Sequence, residues 1–265
     1  MHKSILQIPL YILILVISTS FILHGDYKKT SREYYQLKTY YFADEKQEKK
    51  LDEYLEKALL PALHRTGIKK IGVFKSHSND TSAKKTLYVF YPIKSMDFLL
   101  ELPSLLENDK TYQENAEAFI NTPFTDPSYS RMESTILYAF PLAPAMQLPS
   151  LNGPKSERIY ELRSYESSSD KLLKNKIKMF NDGGEIGLFK KLNFNAVFYG
   201  EVISGSKMPN LMYMTCHENK TTRDQNWKNF FDHPDWKKLS GMTEYQHNVS
   251  HVDIYFLYPA SYSDF

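Results

Sequence analysis

At 265 residues the chain has room for one large or two ordinary domains, and 42% hydrophobic with 24% charged residues is the balance of a folded globular protein. With 33 Lys plus Arg against 31 Asp plus Glu, the formal charge of +2 gives no electrostatic footprint for nucleic acid. The single cysteine, Cys216, excludes an intrachain disulfide scaffold and a cysteine zinc cluster.

The chain opens with Lys3, an apolar run from Leu10 to Ile17, and the small residues Ser18-Thr-Ser20. This pattern reads as an export signal cut after Ser20, placing the mature protein in a periplasm or outside the cell. An uncleaved membrane anchor is the alternative, because Phe21-Ile-Leu23 prolongs the apolar run toward the ~20 residues a span needs. Residues 1–30 are therefore set apart as signal and leader.

Beyond them the chain repeats itself. Tyr34-Tyr-Gln-Leu-Lys-Thr-Tyr40 matches Ile159-Tyr-Glu-Leu-Arg-Ser-Tyr165 with Tyr35 aligned to Tyr160, and Gly67–Phe74 matches Leu192–Tyr199. Thr86–Tyr91 matches Asn210–Thr215, and Thr135–Pro141 matches Asp253–Pro259. Four strand-like segments thus recur in one order at nearly constant offset.

Helical spacing fills the gaps between them. Leu51, Tyr54, Leu55, Ala58, Leu59 and Ala62 form one apolar face over 44–64, stopped by Gly67. The second copy shows helical patterns over 170–180 and 185–192, and each copy has a later helix, at 95–120 and 222–239. Both copies read β-α-β-β-α-β, the ferredoxin-like order, so the expected class is α+β with two tandem units. The units span 31–141 and 155–265. The connection at 142–154 belongs to a stretch from Pro141 to Pro154 with four prolines and one glycine, which reads as extended.

Period-two alternation sorts the first strands into faces. Tyr35 and Leu37, like Tyr160 and Leu162, form an apolar face expected under the helices. Gln36, Lys38 and Tyr40, like Glu161, Arg163 and Tyr165, form a polar-aromatic face. Two sheets facing each other would enclose these polar residues inside a closed α/β barrel, a tyrosine-lined interior consistent with 20 Tyr and 16 Phe.

Several segments carry a family resemblance. They are Tyr34–Tyr40, Ala58-Leu-Leu-Pro-Ala-Leu63 with Gly67–Phe74, Glu157–Glu166, Met179-Phe-Asn-Asp-Gly-Gly-Glu-Ile186, Pro209-Asn-Leu-Met-Tyr-Met214, His233-Pro-Asp-Trp-Lys237 and Tyr262-Ser-Asp-Phe265. Together they resemble the NIPSNAP family of the dimeric α/β-barrel superfamily, most strongly in the second unit, and bacterial two-unit members with an export signal. The resemblance implies the barrel fold. It assigns no activity, since relatives that oxidise substrates or handle haem share the fold without transferring their chemistry.

Standard catalytic motifs are absent: no phosphate-binding loop, nucleophile elbow or His-Glu-x-x-His occurs. Gly183-Gly184 reads as a helix break rather than a phosphate nest, and Cys216, alternating with Met214 and Met212, as a buried small hydrophobe. Trp236, beside a helix start at His233-Pro234-Asp235, reads as a packing anchor. His247 and His251 lie four apart, but a third ligand, Glu244 or Asp253, is not specified by spacing, so no metal and no cofactor is expected. What stands out is the first-strand set: Glu161, Arg163, Tyr165, Lys38 and Tyr40 supply acceptor, cationic donors and aromatic walls for a carboxylate-bearing or aromatic small molecule. The same charges could instead neutralise one another as a structural network. The expected function is a small-molecule-binding or interaction module using the barrel interior, with a second copy or an envelope component as further partner. The alternative is a cofactor-independent monooxygenase- or isomerase-like enzyme acting there.

Overall fold

The computed structural model describes residues 31–265; the expected export segment lies outside the described residues. The first copy runs β1 (Tyr34–Phe42), α1 (Glu45–Tyr54), a π-helical turn (Leu55–Leu59), α2 (Leu60–Arg65), β2 (Gly72–Ser76), β3 (Lys85–Ile93), α3 (Met96–Glu107), α4 (Lys110–Ile120) and β4 (Arg131–Ala139). The second runs β5 (Ile159–Glu166), α5 (Asp170–Asn181), α6 (Glu185–Lys191), β6 (Phe198–Ser204), β7 (Asn210–His217), α7 (Lys220–Asp232), α8 (Pro234–Ser240) and β8 (His251–Pro259). Side-chain caps fix the helix starts. Asp44 accepts from the Gln47 N–H, Ser95 from Phe98, Ser169 from Leu172 and Asn219 from Thr222. The helical stretch expected over 95–120 is split because Asp109 caps a new helix, accepting from the Tyr112 N–H at 3.0 Å. Likewise the stretch over 222–239 breaks at His233, ahead of Pro234. Strands β2 and β6 begin later than the repeat suggests, at Gly72 and Phe198. The residues ahead of them are helix ends and loop, with Gly67 at φ 93° and Asn193 at φ 58°.

Hydrogen bonding closes the eight strands into a barrel in the order β1-β3-β2-β8-β5-β7-β6-β4. Within it each copy keeps the ferredoxin-like order, β4-β1-β3-β2 and β8-β5-β7-β6, with every pairing antiparallel. Two seams join the copies, β2 with β8 and β6 with β4, and they are equivalent under an exchange of the halves. The register also corrects one alignment. Tyr35 faces Leu137 and Tyr160 faces Leu257, so Leu137 answers to Leu257. The sequence match of Thr135 with Asp253, which would set Ala139 against Leu257, is displaced by two residues along the strand.

The faces are the reverse of the sequence expectation. Tyr35, Leu37, Tyr160 and Leu162 point into the barrel, where they pack with Phe74, Phe90, Phe198 and Met214 from both copies. Aromatic contacts knit this interior: Phe90 stacks on Phe198 at 4.3 Å, and Phe74 meets Tyr160 at 4.9 Å. The connection between the copies contributes buried Met146, and the last residue, Phe265, closes on Phe74 at 5.4 Å. The polar-aromatic face lies outside, covered by helices: Tyr40 packs with Leu51, Tyr54 and Leu55 in the first copy, and Tyr213 with Phe189 and Trp227 in the second. Alternation separates two faces but does not say which turns inward when both are covered. An eight-stranded barrel is just wide enough to be filled by side chains, and the larger apolar set fills it.

Phe198→Ala removes a fully buried ring at the centre of this interior and should lower unfolding free energy by about 3–5 kcal/mol. Urea unfolding of the two proteins measures it; a loss below about 1 kcal/mol would show that the barrel interior does not carry the fold.

Candidate functional site

The outward faces of β1 and β5 carry equivalent residues in different surroundings. In the second copy Glu161 is fully buried and accepts from Arg163 Nε at 2.6 Å, Arg223 Nε at 2.6 Å and Trp227 Nε1 at 2.9 Å. The Arg163 guanidinium lies over the Trp227 ring at 3.7 Å and donates to the Tyr165 hydroxyl at 3.0 Å, which in turn meets Tyr213 at 2.8 Å. Burial alone would raise the Glu161 pKa, but the Arg223 hydrogen bonds and the two guanidinium charges hold it below the usual carboxylate range. Glu161, Arg163 and Tyr165 thus form a satisfied network between sheet and helix. They do not line the barrel interior, where the sequence reading places them.

In the first copy Gln36 takes the place of Glu161. It accepts from the Tyr91 hydroxyl and donates to Ser134 Oγ at 2.8 Å. Lys38 takes the place of Arg163, and among the described residues it forms neither a salt bridge nor a hydrogen bond. Burial lowers its pKa and no charged neighbour offsets the effect. Tyr40 is buried deeper, its ring 5.3 Å from Tyr129. Lys38 and Tyr40 therefore also lie under helices rather than in the barrel.

Lys38 borders a cavity of about 380 Å³ between the sheet and α3 and α4. Helix caps explain why this space exists. Asn219 caps α7 and Ser95 caps α3, at equivalent points after β7 and β3. Counting from the caps, Arg223 and Trp227 of the second copy correspond to Leu99 and Pro103 of the first, and Phe230 corresponds to Leu106. All three first-copy residues line the cavity. Where the second copy fills the space with a guanidinium, an indole and a phenyl ring, the first has two leucines and a proline.

Other groups singled out in the sequence have structural places. Cys216 is buried in the barrel interior and burial pushes its thiol up to about 12, so it is not a ready nucleophile. Trp236 packs on Phe230 at 4.4 Å. His251 joins Glu166 and Asp253 in a cluster at one end of the barrel, while Lys207 already pairs with Asp253. His247 and Glu244 are not part of that cluster. Sequence reasoning misses His217, which touches Thr215 Oγ1 at 3.3 Å and Asn226 at 3.2 Å beneath α7. It also misses the cavity, whose signal lies in the smaller residues of α3 that answer to Arg223 and Trp227.

Residues 160–264 match the NIPSNAP family model, so the second copy is a NIPSNAP domain. A comparison with curated proteins finds no match. Among solved structures, the chain is similar to a candidate monooxygenase from Fusobacterium nucleatum at 7% identity and a TM-score of 0.55, covering 87% of this chain and 93% of that one. A candidate monooxygenase from Lactobacillus acidophilus gives 10% identity and 0.50 over 86% and 94% of the two chains. An anthrone oxidase-like protein gives 11% and 0.51 over 88% and 93%. At these identities the likeness establishes the α/β-barrel fold and carries no chemistry.

Two stability measurements test the second-copy network. Glu161→Gln leaves Arg163 and Arg223 without their carboxylate and should cost about 3–5 kcal/mol in chemical unfolding; a cost under about 1 kcal/mol would mean the network is open to water. Burial lowers the His217 pKa to about 4. The unfolded chain then binds the extra proton first, so stability falls as pH drops from about 6.5 toward 4. His217→Gln should flatten that part of the stability profile, and an unchanged slope would contradict the assignment.

Proposed function

We propose that this chain, whose second unit is a NIPSNAP domain, binds a small apolar carboxylate in the cavity over its first sheet, with Lys38 as counter-ion. The observation that carries the reading is the half-buried, unpaired Lys38 beside a space that its duplicate fills with Arg223 and Trp227. Glu107 lines the same cavity but makes no ion pair with Lys38. A half-buried ammonium without a counter-charge is disfavoured, and a carboxylate supplied by a ligand would offset that cost. Leu99, Leu102, Leu106 and Ile120 offer an apolar wall for the remainder of the molecule. The volume falls within the range of small-molecule sites. Binding is preferred over turnover because the nearby polar groups are committed to the protein: Gln36 to Tyr91 and Ser134, and Tyr54 to Tyr112 at 3.0 Å. With residues 1–30 read as an export signal, or alternatively as a membrane anchor, we propose that this binding takes place in a periplasm or outside the cell.

Calorimetric titration with octanoate, using octanol as the uncharged control, tests the proposal. Octanoate should bind saturably and lose about tenfold or more in affinity in Lys38→Met, the weight of one charge-assisted hydrogen bond at about 1.5–3 kcal/mol. Gln36→Glu, which gives Lys38 an internal partner as Glu161 does for Arg163, should also abolish binding while the fold persists. Affinity should fall as pH rises through the lowered Lys38 pKa, because the neutral amine no longer attracts the carboxylate. Equal binding of octanol, or full affinity in both variants, would overturn the proposal.

A further inference from the structure

The barrel is filled with aromatic rings over most of its length, but one end holds a second cavity of about 60 Å³, separate from the Lys38 space. Both copies build it. Leu37, Val202 and Met212 supply apolar walls, and Tyr41, Tyr88 and Tyr255 aromatic ones. Ser164 and Asn210, at 2% and 1% exposure, face it from neighbouring strands β5 and β7. Asn210 Nδ2 donates to Ser164 Oγ at 2.7 Å, while Asn210 Oδ1 has no hydrogen-bond partner among the described residues.

A buried amide oxygen without a donor is disfavoured, so it calls for one. Exchanging the amide's O and N leaves an N–H without an acceptor instead, so one end of the amide lacks a protein partner in either orientation. The Ser164 hydroxyl adds a rotatable donor or acceptor beside it. The charges near the opening are already matched: Lys207 pairs with Asp253, and Glu133 with Arg131 at 3.0 Å. An incoming charge would therefore find no free counter-ion, and a carboxylate would set the lone pairs of one oxygen against Asn210 Oδ1 in one amide orientation and against Ser164 Oγ in the other.

We propose that this end of the barrel is a second binding site, one that takes the neutral primary carboxamide end of a small molecule. A carboxamide carries a donor and an acceptor side by side, matching the Asn210–Ser164 pair in either amide orientation. The cavity admits a group of a few heavy atoms, and any remainder projects past the tyrosines toward solvent.

Acetamide and acetate have nearly the same shape and differ in charge and donor content, so they form the test. Amide-resolved NMR titration of the intact protein should show saturable shifts centred on Ser164, Asn210 and Met212 with acetamide, and at least tenfold weaker binding of acetate. Asn210→Leu should remove the response. Val202→Phe, which fills the cavity from its apolar side and leaves the polar pair intact, should remove it too and decides the matter if Asn210→Leu does not fold. No saturable response to acetamide, equal binding of acetate, or binding retained in Val202→Phe would overturn the proposal. Octanoate binding at Lys38 should be unchanged in Val202→Phe, so the two sites can fail independently.

Discussion

Closure of two four-stranded sheets into one barrel is the constraint on which the rest depends. It turns Tyr35, Leu37, Tyr160 and Leu162 toward one another across the interior, and it leaves the opposite faces to be covered by helices. The outward faces of β1 and β5 are covered in this way, while Met132 on β4 and Val252 and Ile254 on β8 stay exposed. Polar groups on the outward faces must therefore find partners within the protein or be supplied with them.

The two copies meet that requirement differently. The second is self-sufficient: Glu161 takes donors from Arg163, Arg223 and Trp227, and aromatic rings fill the space around them. In the first copy a neutral Gln36 replaces the acid, and Leu99 and Pro103 replace the covering arginine and tryptophan. Lys38 is left without a counter-charge beside a cavity. The smaller side chains of the first copy account for the asymmetry in physical terms, because each both leaves space and offers no partner.

Much of this is legible in the sequence. The matched strands Tyr34–Tyr40 and Ile159–Tyr165 announce the duplication, and helical spacing between them gives the β-α-β-β-α-β order. Alternation also separates the opposed faces of β1 and β5 correctly. It does not give their direction, being silent when both faces are buried. Charged residues suggest a site in the interior, whereas helix α7 brings Arg223 and Trp227 to meet them from outside. Those contacts to Glu161 span 62 and 66 residues of chain and have no local signature. The cavity at Lys38 depends on comparing α3 with α7 from their caps, and Ser95 and Asn219 become the reference points only once both helices are seen to follow equivalent strands.

The most direct measurement is the ionisation of Lys38 itself, followed by NMR at its Cε–Hε resonances and assigned by its loss in Lys38→Arg. In the free protein the amine should titrate below the ordinary lysine value of about 10.5, and saturating octanoate should move the titration upward. A titration at or above the ordinary value in the free protein, or one that octanoate leaves in place, would contradict the account.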